Sequence, residues 1–308
     1  MKILYISQYY PPETGAPAAR VSEMAQHWIR AGHRVTVLTG FPINQTGIVD
    51  PDYRSRMRKL FYREEIDGVD VIRTWLMPLP NRRVYERVLV YVSFLLSSCL
   101  RGIFLSRPDV IIATSPQLLV GLTGLWLSLI KRVPSVLEIR DLWPESLAAS
   151  GVGRSDSLMT RSLRMVASLL YRSCDHVVTV TEAIRDALIT WQNLEPKKVS
   201  VVENGVETDI FAPTGPTESV KNSLGLEGKF VVSYIGTLGQ AHGLEVAIQA
   251  AGELRDRWKD IQFLMVGEGA EKDNLVDLAT RAGLGNVRFL DGQPRQEIPS
   301  LIRASDVC

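Results

Sequence analysis

Short β-branched apolar runs alternate with helix-length segments along nearly the whole chain, and few architectures accept that pattern. Lys2–Ser7, His33–Thr39, Val110–Thr114, Ser135–Ile139, His176–Val180 and Val199–Glu203 read as strands. Gly15–Ala31, Arg83–Leu105, Pro116–Lys131, Asp156–Arg172 and Thr181–Trp191 read as helices between them. Strands of this length separated by helices predict an α/β fold with a parallel sheet covered on both faces. Asp67-Gly68 sits between two strand-like runs in Tyr62–Thr74 and marks a hairpin. A polar connector from Asn204 to Gly225, with Gly205, Pro213, Gly215 and Pro216, reads as a hinge or linker. A second series follows: strands Phe230–Ile235, Gln262–Val266 and Val287–Leu290, and helices Leu244–Arg257, Ala270–Ala282 and Gln296–Ala304. Two domains are expected, 1–205 and 206–308, the second incomplete because Val307-Cys308 looks like the start of a further strand.

The 308 residues are 45% hydrophobic and 22% charged, and 35 Lys+Arg face 34 Asp+Glu. That is globular composition, and a net charge of +1 gives no footprint for nucleic acid. Cys99, Cys174 and Cys308 are far apart and lack paired spacing, which argues against a zinc site or a disulfide framework and suits a reducing cytosol. No HExxH and no His/Cys/carboxylate cluster appears, so no metal is expected. Met1-Lys2 runs straight into a strand-like segment rather than a signal peptide. The apolar runs Val88–Leu100 and Leu118–Ile130 fall short of the roughly 20 residues that span a bilayer, so buried or interfacial helices are expected.

Open parallel sheets bind ligands at the C-terminal ends of their strands. Gly15, in Pro11-Pro12-Glu13-Thr14-Gly15-Ala16-Pro17, stands between the first strand and helix, where free N–H groups suit a phosphate or the glycine simply makes the turn. Gly236-Thr237-Leu238-Gly239 with His242-Gly243 offers the same alternatives, with Thr237 and His242 as added donors. Gly267-Glu268-Gly269 follows the strand FLMV and fits a flat ring or ribose against backbone, although a lone GxG is a weak signal. Arg140, Asp141 and Glu145, with Trp143 among them, place charge where a sugar can be held by bidentate hydrogen bonds; the plain alternative is an Arg140–Asp141 or Arg140–Glu145 structural pair. Arg54, Arg56, Arg58, Lys59 and Arg63 form a basic run, and Arg82, Arg83 and Arg87 precede VLVYVSFLL. Basic residues beside a short apolar helix suit an anionic membrane surface, or a buried helix with solvated arginines at its mouth.

YYPPETGAPAARVSEMAQHWIRAGHRVTVLTG, RDLWPES, VTEAIRDAL, VVENGVETDIF, YIGTLGQAHGLEVAIQAA, FLMVGEGAEKDNL and VRFLDGQPRQEIPSLIRASDV occur in order along the chain. Together they resemble glycosyltransferase family 4, the retaining GT-B enzymes, and especially the WbuB-like branch that builds bacterial surface polysaccharide. The resemblance implies two Rossmann-like domains, the N-terminal one for the acceptor and the C-terminal one for a nucleotide-sugar donor, UDP-linked and used without a metal. It implies that Gly15 and Ala16 match the glycine pair near the donor diphosphate, and that Arg140-Asp141 match a common His-Asp pair near the reacting sugar. Gly236, Thr237, His242 and Gly243 match the loop that grips the diphosphate, Gly267, Gly269 and Gln293 match positions around base and ribose, and Asn204-Gly205 match the interdomain connector.

Departures qualify that likeness. Thr237 and His242 stand where the family usually has Arg and Lys, Arg140 stands where it often has His, and Ala16 replaces a glycine. The family's paired-glutamate segment, E-x7-E, would follow ASDV, so a C-terminal truncation is expected. The resemblance implies transfer of a sugar, an N-acetylated amino sugar, to a polyprenyl-diphosphate-linked acceptor at the inner face of the cytoplasmic membrane, in O-antigen or capsule synthesis. It implies no assigned nucleophile, and Asp141, Glu145 and Arg140 as contacts to sugar or acceptor. An inactive remnant that only binds acceptor or membrane is the alternative, and a GT-B sugar-nucleotide epimerase a weaker one.

Overall fold

A computed structural model describes the chain apart from residues 14, 44–46, 81–82, 116, 144–157 and 213–216. The described residues divide into two compact units, one up to Asn204 and one from Gly205.

In the first unit the strands are β1 (Lys2–Ile6), β2 (Arg34–Gly40), β3 (Phe61–Ile66), β4 (Val69–Thr74), β5 (Val110–Thr114), β6 (Ser135–Ile139), β7 (His176–Thr179) and β8 (Val199–Val201). They form one sheet in the order β3-β4-β2-β1-β5-β6-β7-β8, parallel except for the antiparallel β3–β4 pair. That pair is the expected hairpin, turned by Asp67 at φ 50° and Gly68 at φ 78°. The helices are α1 (Ala16–Arg30), a short α2 (Arg54–Met57), α3 (Val84–Ile103), α4 (Leu118–Lys131), α5 (Leu158–Ser173) and α6 (Glu182–Gln192).

Alternation along the strands sorts the core by face. Leu4, Ile6, Leu38, Ile72, Ile111, Leu137 and Ile139 pack with Phe94 of α3, Leu127 of α4 and Leu170 of α5. Ile3, Tyr5, Val35, Val37 and Val71 pack with Val21 and Ala25 of α1. Both faces are buried, which is why these strands read as continuous apolar runs.

The two apolar runs of the sequence part company here. Helix α4 buries Leu118, Val120, Gly121, Thr123, Gly124, Leu127 and Ser128. Helix α3 buries the i, i+4 stripe Val90, Phe94, Ser98 and Gly102 and leaves a second apolar stripe in solvent. On that stripe Leu96 is 65%, Leu100 64% and Phe104 72% exposed. Among the described residues no helix is long and apolar enough to cross a membrane.

The second unit holds β9 (Phe230–Ile235), β10 (Ile261–Val266) and β11 (Val287–Leu290) in a parallel sheet ordered β11-β10-β9. Its helices are α7 (Thr217–Ser223), α8 (Glu245–Leu254), α9 (Lys272–Arg281) and α10 (Ile298–Arg303). Val307 makes a parallel bridge to Val232 on the free side of β9. Asp306 fixes it there, accepting from Val231 N at 2.7 Å and Lys221 Nζ at 2.9 Å.

Helix α7 lies within the connector from Asn204 to Gly225, of which residues 213–216 are outside the described residues. The Pro/Gly content hid an apolar tail, Leu224 and Leu226, that packs with Val231, Leu264, Val266 and Leu301 and anchors the helix. Elsewhere the expected helices and strands differ from those observed by a few residues at their ends, as frayed ends do.

Candidate functional site

The expected residues of the first unit lie at the C-terminal ends of its strands. Gly15, at φ 124°, caps α1, and Ala16 opens it; no side chain caps the helix, and its first N–H groups therefore lack intrahelical acceptors. The loop leading to Gly15 is held from beneath by Arg73 at the end of β4, a fully buried guanidinium. Its Nε lies 2.5 Å from Glu64 Oε1, Nη1 donates to Gly40 O at 3.2 Å, Nη2 donates to Pro11 O, and the group lies 4.6 Å from the centre of the Tyr53 ring. Glu13 ties the same loop to the chain after β2, accepting from Tyr10 N at 3.2 Å and Ile43 N at 3.3 Å. Burial outweighs those two bonds and pushes the Glu13 carboxyl up to about 8.

The unit holds a second buried cation. Arg20 of α1 donates Nε and Nη2 to Glu138 Oε1 at 2.8 and 2.6 Å, and Nη1 to Asn204 Oδ1 at 2.8 Å. Tyr5 donates its hydroxyl to Glu138 Oε2 at 3.0 Å. Burial first, then the Glu138 charge, raises the Tyr5 pKa well above its ordinary value. One carboxylate at the end of β6 thus joins β1, α1 and the last residues of the unit.

Arg140 and Asp141 follow β6. The Arg140 backbone N–H donates to Ser115 Oγ at 2.9 Å; its side chain is half-buried, and burial lowers its pKa. Asp141 is exposed, and Glu145 lies outside the described residues. Gly15-Ala16 and Arg140-Asp141 therefore share one sheet edge, with the end of β5 between them.

At the proposed membrane face, Arg82 lies outside the described residues. Arg83 is exposed at the start of α3, its N–H bonded to Glu86 Oε2 at 3.0 Å. Arg87 is half-buried, and its charge opposes the burial that raises the pKa of both Tyr91 and Tyr9. The basic run upstream is partly spent locally: Arg56 lies over the Tyr53 and Tyr62 rings, and Arg63 pairs with Asp70 at 2.6 Å.

In the second unit the loops after β9, β10 and β11 bring Gly236, Thr237, His242, Gly243, Gly267, Gly269 and Gln293 to one edge. Thr237, His242 and Gln293 are exposed there. The Tyr234 hydroxyl donates to Thr237 O at 2.9 Å, and the His242 ring lies 6.1 Å from the Tyr234 ring. Gly267 and Gly269 also meet a steric demand within the unit. A Cβ on Gly267, at φ 146°, would lie 1.8 Å from Gly236 O, and one on Gly269 2.1 Å from Leu238 O. The glycines admit a neighbouring loop of the same unit. Leu238 N donates to Glu268 O at 2.9 Å and Glu271 N to Leu238 O at 3.0 Å, completing the interlock.

Lys272 extends it, bonding Glu268 Oε1 at 2.9 Å and Asp291 Oδ1 at 2.6 Å. Its bond holds the Glu268 carboxyl below the ordinary range.

Sequence reasoning missed Arg20, Arg73, Glu13 and Lys272. A signal existed for two partners: Arg73 and Glu138 each place a charge inside an apolar strand, VDVIRT and SVLEI, where an ionised group needs a buried partner. A hollow lined by Lys2, His33, Arg34, Arg63 and Arg101 opens at the opposite, N-terminal ends of β1 and β2, away from the residues expected to bind donor or acceptor. Among the described residues no group of His, Cys, Asp and Glu could hold a metal ion.

Comparison with known proteins adds the following. The Glycosyl transferase 4-like domain matches residues 15–205, and Glycosyl transferases group 1 matches residues 216–308. The chain is 27% identical over 314 aligned residues to the Escherichia coli (strain K12) protein named as the colanic acid biosynthesis glycosyl transferase WcaI, covering 99% of this chain and 75% of that one. It is 25% identical over 203 residues to the glycosyltransferase WbjE of Pseudomonas aeruginosa, covering 66% of this chain and 48% of that one. Among solved structures, HepE of Anabaena in complex with UDP-glucose superposes with a TM-score of 0.69 at 19% identity, over 99% of this chain and 72% of that one. At that identity the likeness fixes the fold, GT-B, with its two parallel α/β units.

Proposed function

Since the chain belongs to the glycosyltransferases, by domain matches over residues 15–205 and 216–308, we propose that it transfers a sugar, an N-acetylated amino sugar, from a UDP-linked donor to a polyprenyl-diphosphate-linked acceptor in surface-polysaccharide synthesis. The WcaI and WbjE relatives support the polysaccharide setting, and the UDP-glucose complex of HepE supports the donor class. The observation that carries the reading is the interlocked ledge at the ends of β9, β10 and β11. There Thr237, His242 and Gln293 stand exposed around a main chain held rigid by Gly267 and Gly269. Donor binding falls to that ledge and acceptor binding to the edge carrying Arg140 and Asp141.

In the reaction an acceptor hydroxyl oxygen bonds to the anomeric carbon as the carbon–oxygen bond to the diphosphate breaks, and the hydroxyl proton passes to the departing diphosphate oxygen. We assign retention of configuration, with attack on the face the diphosphate leaves. Exposed N–H donors and His242 are placed to stabilise the departing charge.

The acceptor requires contact with a lipid surface. The exposed stripe of α3, Leu96, Leu100 and Phe104, with Arg83 at its start, supplies an apolar face and a basic end for peripheral attachment.

Incubating the 308-residue chain with UDP-N-acetylglucosamine and a polyprenyl-diphosphate-linked sugar in vesicles containing anionic lipid tests the reading. The expected outcome is a product heavier by one N-acetylhexosamine in the mass spectrum. Absence of both UDP binding and product would leave the acceptor- or membrane-binding alternative.

A further inference from the structure

At the ends of β5 and β6 the first unit leaves polar groups unmatched. Arg140 Nη1 is buried with no hydrogen-bond partner among the described residues. The carboxylate two residues before it, Glu138, is directed at other groups: Oε1 takes two bonds from Arg20 and Oε2 one from Tyr5. Asp141, next in the chain, faces solvent. The guanidinium is therefore half-desolvated beside a carboxylate that other groups already occupy.

Gln117 stands at the neighbouring strand end. It is 2% exposed, and neither its Nε2 nor its Oε1 finds a partner. It is the N-cap residue of α4 but makes no side-chain cap; Val120 N bonds Gln117 O at 3.2 Å, which leaves the N–H groups of Leu118 and Leu119 at the helix start. Two bonds hold the strand ends together: Ser115 N donates to Glu138 O at 2.9 Å, and Arg140 N to Ser115 Oγ at 2.9 Å. On the other side of β5, at the end of β1, Gln8 is 3% exposed and its Oε1 is also unpartnered. Native interiors satisfy nearly all such groups, so a run of them on three adjacent strands points to a missing polar ligand.

We propose that the corner formed by Arg140, Gln117 and the first turn of α4 binds the anionic group of a saccharide, a phosphate or a carboxylate. The guanidinium pairs with the anion and the amide with a neighbouring hydroxyl. That the ligand is a saccharide rests on the glycosyltransferase reading; the anion follows from the guanidinium and the helix terminus. A phosphate would be the end of the acceptor's diphosphate, whereas a carboxylate would belong to an acidic sugar.

Calorimetric titration of the 308-residue chain with N-acetylglucosamine 1-phosphate, glucuronic acid, neutral N-acetylglucosamine and UDP tests this. At least one charged sugar is expected to bind about tenfold or more tighter than the neutral one, as hydrogen bonds between charged groups allow. Arg140→Gln is expected to erase the preference, Arg140→Lys to keep part of it, and both to leave UDP affinity unchanged. The sugar phosphate winning assigns the diphosphate end, and the uronate winning assigns an acidic sugar. Equal affinity for charged and neutral sugars overturns the proposal, as does an Arg140→Gln chain that keeps the preference. If Arg140→Gln fails to fold by circular dichroism, Gln117→Met decides: a severalfold loss for the charged sugar supports the corner, and no loss overturns it. Failure of UDP to bind, with Arg140-dependent anion binding intact, removes the transferase reading and leaves the anion site.

Discussion

In the first unit the loop after β1 is positioned by side chains. Arg73 reaches Pro11 and Gly40 from β4, and Arg20 crosses from α1 to Glu138. In the second unit the loop after β9 is positioned by main chain, with Gly236 O and Leu238 O seated where Gly267 and Gly269 have no Cβ. The two edges have the same topology and different means of rigidity. A charge-held loop depends on partners far apart in sequence that can be exchanged together. A backbone-held loop depends on single positions with no substitute.

Substitutions test that contrast. Glu138→Ala leaves the 8%-exposed Arg20 guanidinium and the Tyr5 hydroxyl without their acceptor, and is expected to lower stability by about 3–5 kcal/mol in urea unfolding. Replacing the set together, Arg20→Leu, Glu138→Leu and Tyr5→Phe, is expected to recover most of that loss; no recovery would mean the charges are not interchangeable with apolar packing. Gly267→Ala is expected to cost about 3 kcal/mol or more, since it combines a left-handed φ with a clash against backbone. A milder loss would show that the loop after β9 can move.

Glu13 gives a pH signature. Its carboxyl, pushed up to about 8 by burial, holds its proton more tightly folded than unfolded. Its contribution is present in full below the unfolded pKa of about 4 and is lost as pH rises through 8. The melting temperature should therefore fall over that range, and Glu13→Gln should flatten this part of the profile. Lys272→Met should have the smallest effect, about 0.5 kcal/mol and reduced by salt, because Glu268 and Asp291 are largely exposed.

Much of the fold was legible because period-2 and helical patterns are local properties. The hairpin at Asp67-Gly68 and the strand–helix alternation needed no long-range information. Helix α7 was not legible, because its support comes from Leu226 meeting Val231 and Leu301 in the folded unit. The site was legible as positions but not as contacts. Gly15, Arg140 and Gly267 could be placed at strand ends, yet the pairing of Arg20 with Glu138, 118 residues away, requires the register of the sheet. Gly267 and Gly269 were the instructive case, because a glycine that admits a ligand and one that admits another loop look alike in a sequence.

The edge of the larger sheet carries a further consequence. Strand β3 closes it as an antiparallel ribbon whose residues include Arg63, Glu64 and Glu65, and β8 at the far side spans only Val199–Val201. Charged and abbreviated margins are poor templates for a strand from another molecule. For this sheet, self-association by strand addition is thereby disfavoured, and the exposed apolar side of α3 is left as the stickier surface.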